Sequence, residues 1–395
     1  MTVCGPNPRL GNNRQNRKVP RMYDFIVIGG GIAGASAGYR LAEHGSVALL
    51  EMEERPGYHS TGRSAAQFTE LYGNGPIRAL VRLSKDFLFT PPDGFCEVPI
   101  LTPRGAMFLA TTAQRPAIDA IVSMAARENC PIQELDPLAA CQIVPVLRPE
   151  TFDSAVLEPE STDMDVDALH GGFLRGFRQR GGELATNAEA LRLERQGGVW
   201  RVETPAGVFE APVVVNAAGA WADVVAERAG VAKVGLIPKR RTVILFDAPD
   251  DVEIADWPLV IDADENWYFK PDAGKILASP ADETPVAPYD AQAEEIDVAV
   301  IADAIQRVTT MPVAHISHRR AGLRTFTADK TPVVGFAPDA EGFFWLAGQG
   351  GYGIETSPAM GEGAAHLILH GALPCSFSVA GVSESDLSPS RSFEY

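Results

Sequence analysis

Three glycines and an acid are the first residues whose types and spacing could do chemistry. Gly29, Gly31 and Gly34 stand in the order G-x-G-x-x-G, directly after the apolar run Phe25-Ile26-Val27-Ile28. A helix-like run follows and stops at Gly45. A second apolar run, Val47-Ala48-Leu49-Leu50, closes on Glu51. Gly29 permits a tight turn out of the strand, Gly31 lets a pyrophosphate lie against bare backbone, and Gly34 lets the helix pack close to the sheet. The helix start at Ile32 and Ala33 offers free amides and a positive dipole end to the phosphates. Glu51 can accept hydrogen bonds from ribose hydroxyls and would repel a 2′-phosphate, which argues against NADP. The motif points to a dinucleotide and by itself does not separate FAD from NAD.

Three later stretches carry matching chemistry. A small polar loop, Pro56 to Gln67, follows the acid directly. Its His59, Ser60, Thr61, Arg63, Ser64 and Ala65 are placed to wrap the phosphates and line the ring of a cofactor. The buried run Val213-Val214-Val215-Asn216 turns through Ala217-Ala218-Gly219, a turn that lets backbone approach a ligand, although any strand-to-helix turn could read this way. A second glycine-rich turn, Gly348-Gln349-Gly350-Gly351-Tyr352-Gly353, leads through Ile354 into a helix expected to reach His370. Thr356 or Ser357 is its expected N-cap, with Pro358 at the first helical position.

These residues need a scaffold of strands and helices. Helical periodicity is expected from about 76 to 90, 116 to 129 and 167 to 179. Residues 98 to 110 read as a strand pair broken at Pro103-Arg104-Gly105, and 235 to 323 read as strand-rich. Within that region Arg240 and Arg241 alternate along one strand, so one guanidinium should point inward and the other outward. Asn266 to Lys270 and Lys275 to Ser279 flank a Pro-Asp-Ala-Gly turn and read as a hairpin, with Tyr268 on the face opposite Trp267 and Phe269. A second dinucleotide unit is absent, which argues against a separate NAD(P)H domain.

The bulk composition narrows the class. The chain has 395 residues, 46% of them hydrophobic and 22% charged, ordinary for a globular protein of two domains or one large one. A net charge of −17 argues against nucleic-acid binding. The five cysteines, Cys4, Cys96, Cys130, Cys141 and Cys375, are scattered and form no C-x-x-C, which fits a reducing, cytoplasmic compartment. The histidines show no metal-ligand spacing, so no metal is expected. No apolar run reaches membrane-spanning length. Residues 1–21 are basic and read as a disordered extension upstream of Met22. Residues 376–395 read as an exposed polar tail.

The order of these motifs resembles the FAD-dependent D-amino-acid oxidase family, and within it most nearly the bacterial D-arginine dehydrogenases. The runs that carry this are Gly57 to Ala66, Pro238-Lys239-Arg240-Arg241, Tyr268 to Gly274, Ala321-Gly322-Leu323-Arg324 and Gln349 to Ile354. The resemblance spans roughly Met22 to Gly371. It implies an α/β fold with a Rossmann-like FAD-binding domain (22–78, 160–232 and 325–375) and an interleaved, strand-rich substrate domain (79–159 and 233–324). It implies FAD, expected to be non-covalent because the cysteines offer no attachment motif, and oxidative deamination of D-amino acids by hydride transfer to flavin N5, giving 2-oxo acids and ammonia. The electron acceptor is left open among a quinone, a carrier and oxygen. Arg241, Tyr268 and Arg324 are expected to hold the substrate carboxylate, Tyr72 to cover the substrate, and the Gly351 carbonyl to meet its amine. Ser64, Ala65, Gln67, Ala106, Arg320 and Tyr352 are expected to line the pocket.

Two departures bear on the side chain accepted. Ala106 stands where the D-arginine enzymes carry a glutamate for the guanidinium, and a buried unpaired cation is costly. Arg320 replaces a tryptophan, and Gln67 a histidine. The expected preference is therefore for neutral or apolar D-amino acids, with an acidic side chain open if Arg320 reaches the pocket. Turnover of N-methyl amino acids or 2-hydroxy acids, and a flavin-binding role without turnover, remain as alternatives.

Overall fold

The structure is a computed structural model and describes residues 21–392. Its centre is a six-stranded sheet in the order Glu183–Ala185, Val47–Leu50, Phe25–Ile28, Val213–Asn216, Phe343–Ala347 and Val333–Phe336. All neighbours are parallel except the last pair. The three runs from Phe25, Val47 and Phe343 are buried at every position, as parallel strands covered on both faces must be. One face is covered by the Ile32–Leu41, Val166–Gln179 and Ser357–His370 helices. On the other, Trp200, Val202 and Phe209 pack from a four-stranded sheet of Arg21–Met22, Gly207–Ala211, Val199–Thr204 and Arg192–Gln196.

A nine-stranded sheet forms the second body. Ile237–Asp247 lies between Lys275–Ser279 and the long Ile316–Phe326 strand, and the sheet continues through Tyr268–Asp272, Leu259–Asp262, Ala106–Ala110 and Ser154–Glu158. A small sheet of Gln67–Phe68, Thr162–Met164 and Leu101–Pro103 lies outside both.

Several sequence expectations need correction. The pair expected over 98–110 is not a hairpin. Leu101–Pro103 joins Thr162–Met164, while Ala106–Ala110 joins Ser154–Glu158 and Leu259–Asp262. Gly105, at φ +77°, turns the chain from one sheet into the other. The region expected to be strand-rich contains the Glu295–Val308 helix, which buries Val298, Ile301, Ile305 and Val308 at helical spacing. The Gly75–Phe89 helix, most of which was assigned to the substrate domain, buries Ile77, Leu80, Val81 and Leu88 in the same core as the Ile32–Leu41 helix. The expected exposed tail instead forms the Cys375–Ala380 and Glu384–Leu387 helices. Phe377, Val382 and Leu387 are buried, and Arg391 bonds Asp329. The extension at 1–20, Cys4 included, lies outside the described residues.

Candidate functional site

The nucleotide end of the site is set by the first turn. Gly29 has φ +105°, and a Cβ there would lie 2.4 Å from the Ala217 carbonyl oxygen. A Cβ at Gly34 would lie 1.9 Å from the Gly29 carbonyl oxygen. No side chain fits either position. Glu51 is buried, and its carboxylate accepts from the Gly30 amide at 2.9 Å and the Glu53 amide at 2.9 Å. Burial pushes its pKa up, against the pull of those two amides. Thr61 Oγ1 accepts from the Ile32 amide at 3.0 Å. The amides of Ala33 and Gly34 have no carbonyl one turn earlier within the helix, so they remain available to an anion.

A cavity of about 780 Å³ opens beside this turn. Gly29, Gly31, Glu51, His59, Ala218 and Gly219 line it, together with Ala188 and Trp221, which sequence reasoning missed. His59 Nε2 lies 2.9 Å from Glu53, and its ring centroid is 4.6 Å from that of Trp221. His170 is a further missed residue. Burial lowers its pKa, and its Nε2 lies 2.8 Å from the Gly30 carbonyl oxygen, so Nε2 carries the proton that braces the glycine turn.

A second cavity, of about 880 Å³, shares Gly31, Ser60, Thr61, Ala217 and Gly219 with the first. Ile32, Ala33, Ser64, Ala65, Gly350, Gly351, Gly353 and Ile354 complete much of its wall. Ser60 Oγ donates to the Leu323 carbonyl at 2.6 Å. Arg63 lines the cavity, but its guanidinium is spent on the carbonyls of Ala291 and Ala321 and on Asp290. Its role is to fasten the loop to the Ile316–Phe326 strand. Gly348 is not in the wall; it makes the turn at φ +76° against Thr327 and Leu236. Thr356 is the N-cap residue, yet its hydroxyl donates back to the Tyr352 carbonyl and does not cap.

The third cavity, of about 820 Å³, shares Ser64, Ala65, Arg241, Tyr268, Arg324, Gly351 and Ile354 with the second. Its arginines come from neighbouring strands. In the antiparallel register Arg241 faces Gly322 and Lys239 faces Arg324, which puts Arg241 and Arg324 on one face as a diagonal pair. A Cβ at Gly322, on the same face, would touch the loop at Arg63 and Ser60, 3.7 and 3.8 Å away. Arg240 points to the opposite face, where it pairs with Glu294, Asp297 and Asp282 beneath the Glu295–Val308 helix. Both arginines are buried, at 3% and 8% exposure, because both faces of this strand are covered. The expectation of one inward and one outward side chain fails for that reason.

The two arginines in the cavity differ in their partners. Arg241 donates to the Asp282 carbonyl at 3.0 Å and to Glu283 at 3.3 Å. Among the described residues Arg324 forms no ion pair, and its one side-chain hydrogen bond is to the Tyr72 hydroxyl at 3.3 Å. Burial opposes its charge, but the Tyr72 and Tyr268 hydroxyls outweigh that and hold the guanidinium more firmly protonated than usual. Burial likewise works to raise the Tyr268 pKa, and the charges of Arg324 and Arg241 overcome it and lower it. A guanidinium enclosed in a cavity without an ion-pair partner can receive an anion on its fork.

The rest of this cavity is mainly apolar. Ala106 and Phe108 lie opposite Leu259 and Ile261 on two paired strands, and the alternation brings all four to the wall. Gln67 donates from Nε2 to the Gly105 carbonyl at 2.9 Å and to Ser161 Oγ at 2.7 Å. Glu265, exposed at φ +59°, and the buried Glu355 also line it. Neither acid, nor Phe108, Leu259 or Ile261, was singled out from sequence. The strand alternation at 106/108 and 259/261 was the available signal for the three apolar residues. Two expected pocket residues are elsewhere. Tyr352 is buried with its ring 4.8 Å from that of Tyr72, in the wall of neither the second nor the third cavity. Arg320 shares the strand face of Arg324 but does not reach either cavity.

Three cavities that share walls, a glycine cradle at one end and an arginine pair at the other fit an extended dinucleotide. The buried Gln349 Nε2 in the middle cavity has no partner, as expected where a cofactor atom should accept. This arrangement fits a flavoprotein in which the glycine cradle would hold the nucleotide end of an extended cofactor and the middle cavity its ring end. The chain belongs to the FAD dependent oxidoreductase family (DAO), whose profile matches residues 24–367, and its cofactor is FAD. Human mitochondrial sarcosine dehydrogenase is 25% identical over 377 residues, covering 90% of this chain and 40% of that protein. The chain thus spans less than half the length of that relative. Glycine oxidase from Geobacillus kaustophilus is 26% identical over 357 residues, covering 88% of this chain and 93% of that one. A crystal structure of glycine oxidase from the same organism has a TM-score of 0.83 at 21% identity, covering 95% of this chain and 100% of that chain. These comparisons support the family as a whole and do not single out the D-arginine branch that the motifs suggested. No helix among the described residues is long and apolar enough to cross a membrane.

Proposed function

We propose that this protein oxidises small D-amino acids with neutral or apolar side chains, giving imino acids that water hydrolyses to 2-oxo acids and ammonia. The observation that carries this reading is Arg324, half-buried in the third cavity beside Arg241 and Tyr268 and in no ion pair among the described residues. A substrate carboxylate is the missing anion. Gly29, Gly31, Ile32, Ala33, Gly34 and Glu51 would hold the nucleotide end of FAD, and Gly350, Gly351, Gly353 and Ile354 its ring end. FAD supplies the two-electron acceptor when bound.

The chain's own work is orientation. The guanidinium of Arg324, with Arg241 and the Tyr268 hydroxyl, fixes the carboxylate, and Tyr72 closes over the site. Holding two reactants in place can contribute roughly 7–11 kcal/mol at best. Ala106, Phe108, Leu259 and Ile261 form an apolar wall that suits an uncharged side chain. Arg320 does not reach this wall, so it offers an acidic side chain nothing.

The test is anaerobic mixing of the purified holoprotein with D- and L-amino acids, N-methyl amino acids and 2-hydroxy acids, watching the flavin band bleach. Fast bleaching by neutral D-amino acids supports the reading, and bleaching led by D-arginine or D-lysine overturns the side-chain assignment. A second reading, oxidation of N-methyl amino acids, is favoured by relatives named sarcosine dehydrogenase and dimethylglycine dehydrogenase. It keeps the same carboxylate clamp, and bleaching by sarcosine ahead of every D-amino acid would establish it.

A further inference from the structure

The third cavity holds one buried acid that carboxylate binding does not use. Glu355 precedes the Ser357–His370 helix, lines the cavity with Arg241, Tyr268, Arg324 and Gly351, and is 3% exposed. Its Oε2 accepts from the Thr69 amide at 3.2 Å, its single side-chain hydrogen bond among the described residues. The site therefore presents a cationic clamp and, in the same enclosure, a carboxyl with an oxygen to spare. That is the charge pattern of an α-amino acid, which carries an anion and an ammonium on one carbon.

We propose that Glu355 accepts a proton from the substrate ammonium before oxidation. This rests on the amino-acid reading above. An ammonium enclosed beside two guanidinium groups is unfavourable, and the free amine holds the lone pair that must push out as the Cα–H bond breaks. The step balances. The N–H bond of RCH(NH3+)CO2− breaks, an O–H bond forms on Glu355, and RCH(NH2)CO2− with a neutral Glu355 results. No electrons are exchanged.

The surroundings suit a proton acceptor of raised basicity. Burial and the nearby Glu158 push the Glu355 pKa up, and Arg324 pulls it down. Glu158 is itself buried, accepting from Thr69 Oγ1 at 2.7 Å and the Glu70 amide at 3.3 Å, with the Cys130 thiol at 3.7 Å. Glu70 is paired with Lys85. Tyr72, Tyr268, Arg241 and the exposed Glu265 complete the titratable groups around the cavity, with Tyr352 behind Tyr72. The Thr69 amide, donating to Glu355 Oε2, offsets part of the cost of the anion.

Two measurements test this. The first is the pH profile of anaerobic flavin reduction, using the fastest amino acid of the panel. Glu355→Gln should slow reduction about 10²-fold near neutral pH, the lower end for a general base. Its rate should then climb about tenfold per pH unit until the amine itself ionises, while the wild type levels off earlier. Glu355→Asp should recover part of the rate. A Glu355→Gln profile parallel to the wild type overturns the proposal.

The second measurement needs no turnover. Pyruvate, an anion without an amine, is titrated into oxidised holoprotein and followed by the flavin absorbance shift. In the wild type its affinity should fall as pH rises through the Glu355 pKa, because two anions would share one cavity, and in Glu355→Gln it should stay level. A level wild-type profile from about pH 5 to about pH 9 overturns the proposal without relying on any variant. If no amino acid bleaches the wild type, the functional reading fails on that result alone, and the pyruvate titration still decides what Glu355 does.

Discussion

Arg324 and Ala106 carry the residue-scale predictions. Arg324→Met removes the guanidinium in the cavity that forms no ion pair among the described residues, while its volume is roughly kept. Truncating one partner of a buried charged pair costs about 2–5 kcal/mol, so kcat/KM for a carboxylate substrate should fall at least 30-fold, with FAD content unchanged. Stopped-flow reduction beside the flavin-to-protein ratio checks both. Ala106→Glu places a carboxylate in the apolar wall between Glu158 and Leu259 in register. The ratio of D-lysine to D-alanine reduction rates should rise by about tenfold or more, one close charge pair at about 1.4 kcal/mol per decade. Arg241, Tyr268, Arg324 and Tyr72 were singled out through the family resemblance, and the structure gathers all four around this cavity. Glu355 was not legible in sequence, since one acid in a glycine-rich turn looks like any other until the fold encloses it.

At the element scale, the Gly29–Gly34 contact is the tightest constraint. Gly34→Ala would drive a Cβ to 1.9 Å from the Gly29 carbonyl oxygen, and the Ile32–Leu41 helix would have to move off the strand. The expected cost is about 1–3 kcal/mol, seen as a lower melting temperature together with weakened FAD retention on gel filtration. This element was readable because its glycines answer to a local geometry. The Glu295–Val308 helix was not read, although Val298, Ile301, Ile305 and Val308 repeat at helical spacing. Its neighbours on both sides are strands, and its caps are weak, with no side-chain bond at Glu294. The strand pair expected over 98–110 misled for another reason. A turn at one glycine can fold a pair back as a hairpin or send it to another sheet, and only distant partners decide which.

Across the whole molecule, buried acids set how stability responds to pH. Burial, against the pull of Thr69 and Glu70, pushes Glu158 up to about 7. Its unfolded value is near the ordinary one, so the folded state holds the extra proton between the two. Stability from this group is full below about pH 4 and is lost as pH rises toward 7, by up to about 3 kcal/mol. Glu158→Gln should flatten that slope and raise the melting temperature above neutral pH, measured by calorimetry at a series of pH values. The broad division into a nucleotide sheet and a strand-rich sheet followed from motif order. The fate of residues 376–392 did not, because Phe377, Val382 and Leu387 are too widely spaced to signal burial in a serine-rich stretch.

The three short strands at Gln67–Phe68, Leu101–Pro103 and Thr162–Met164 hold together points where the chain passes between the two larger sheets. Asp163 in their midst takes Arg104 at 2.7 Å and Lys270 at 2.5 Å, and Gln67 reaches across to Gly105 and Ser161. Neither large sheet is drawn from one continuous length of chain, so no single cut frees one from the other. Such a knot favours all-or-none melting: a nick in one crossing should lower the melting point of both sheets together and leave no independently folded fragment to collect.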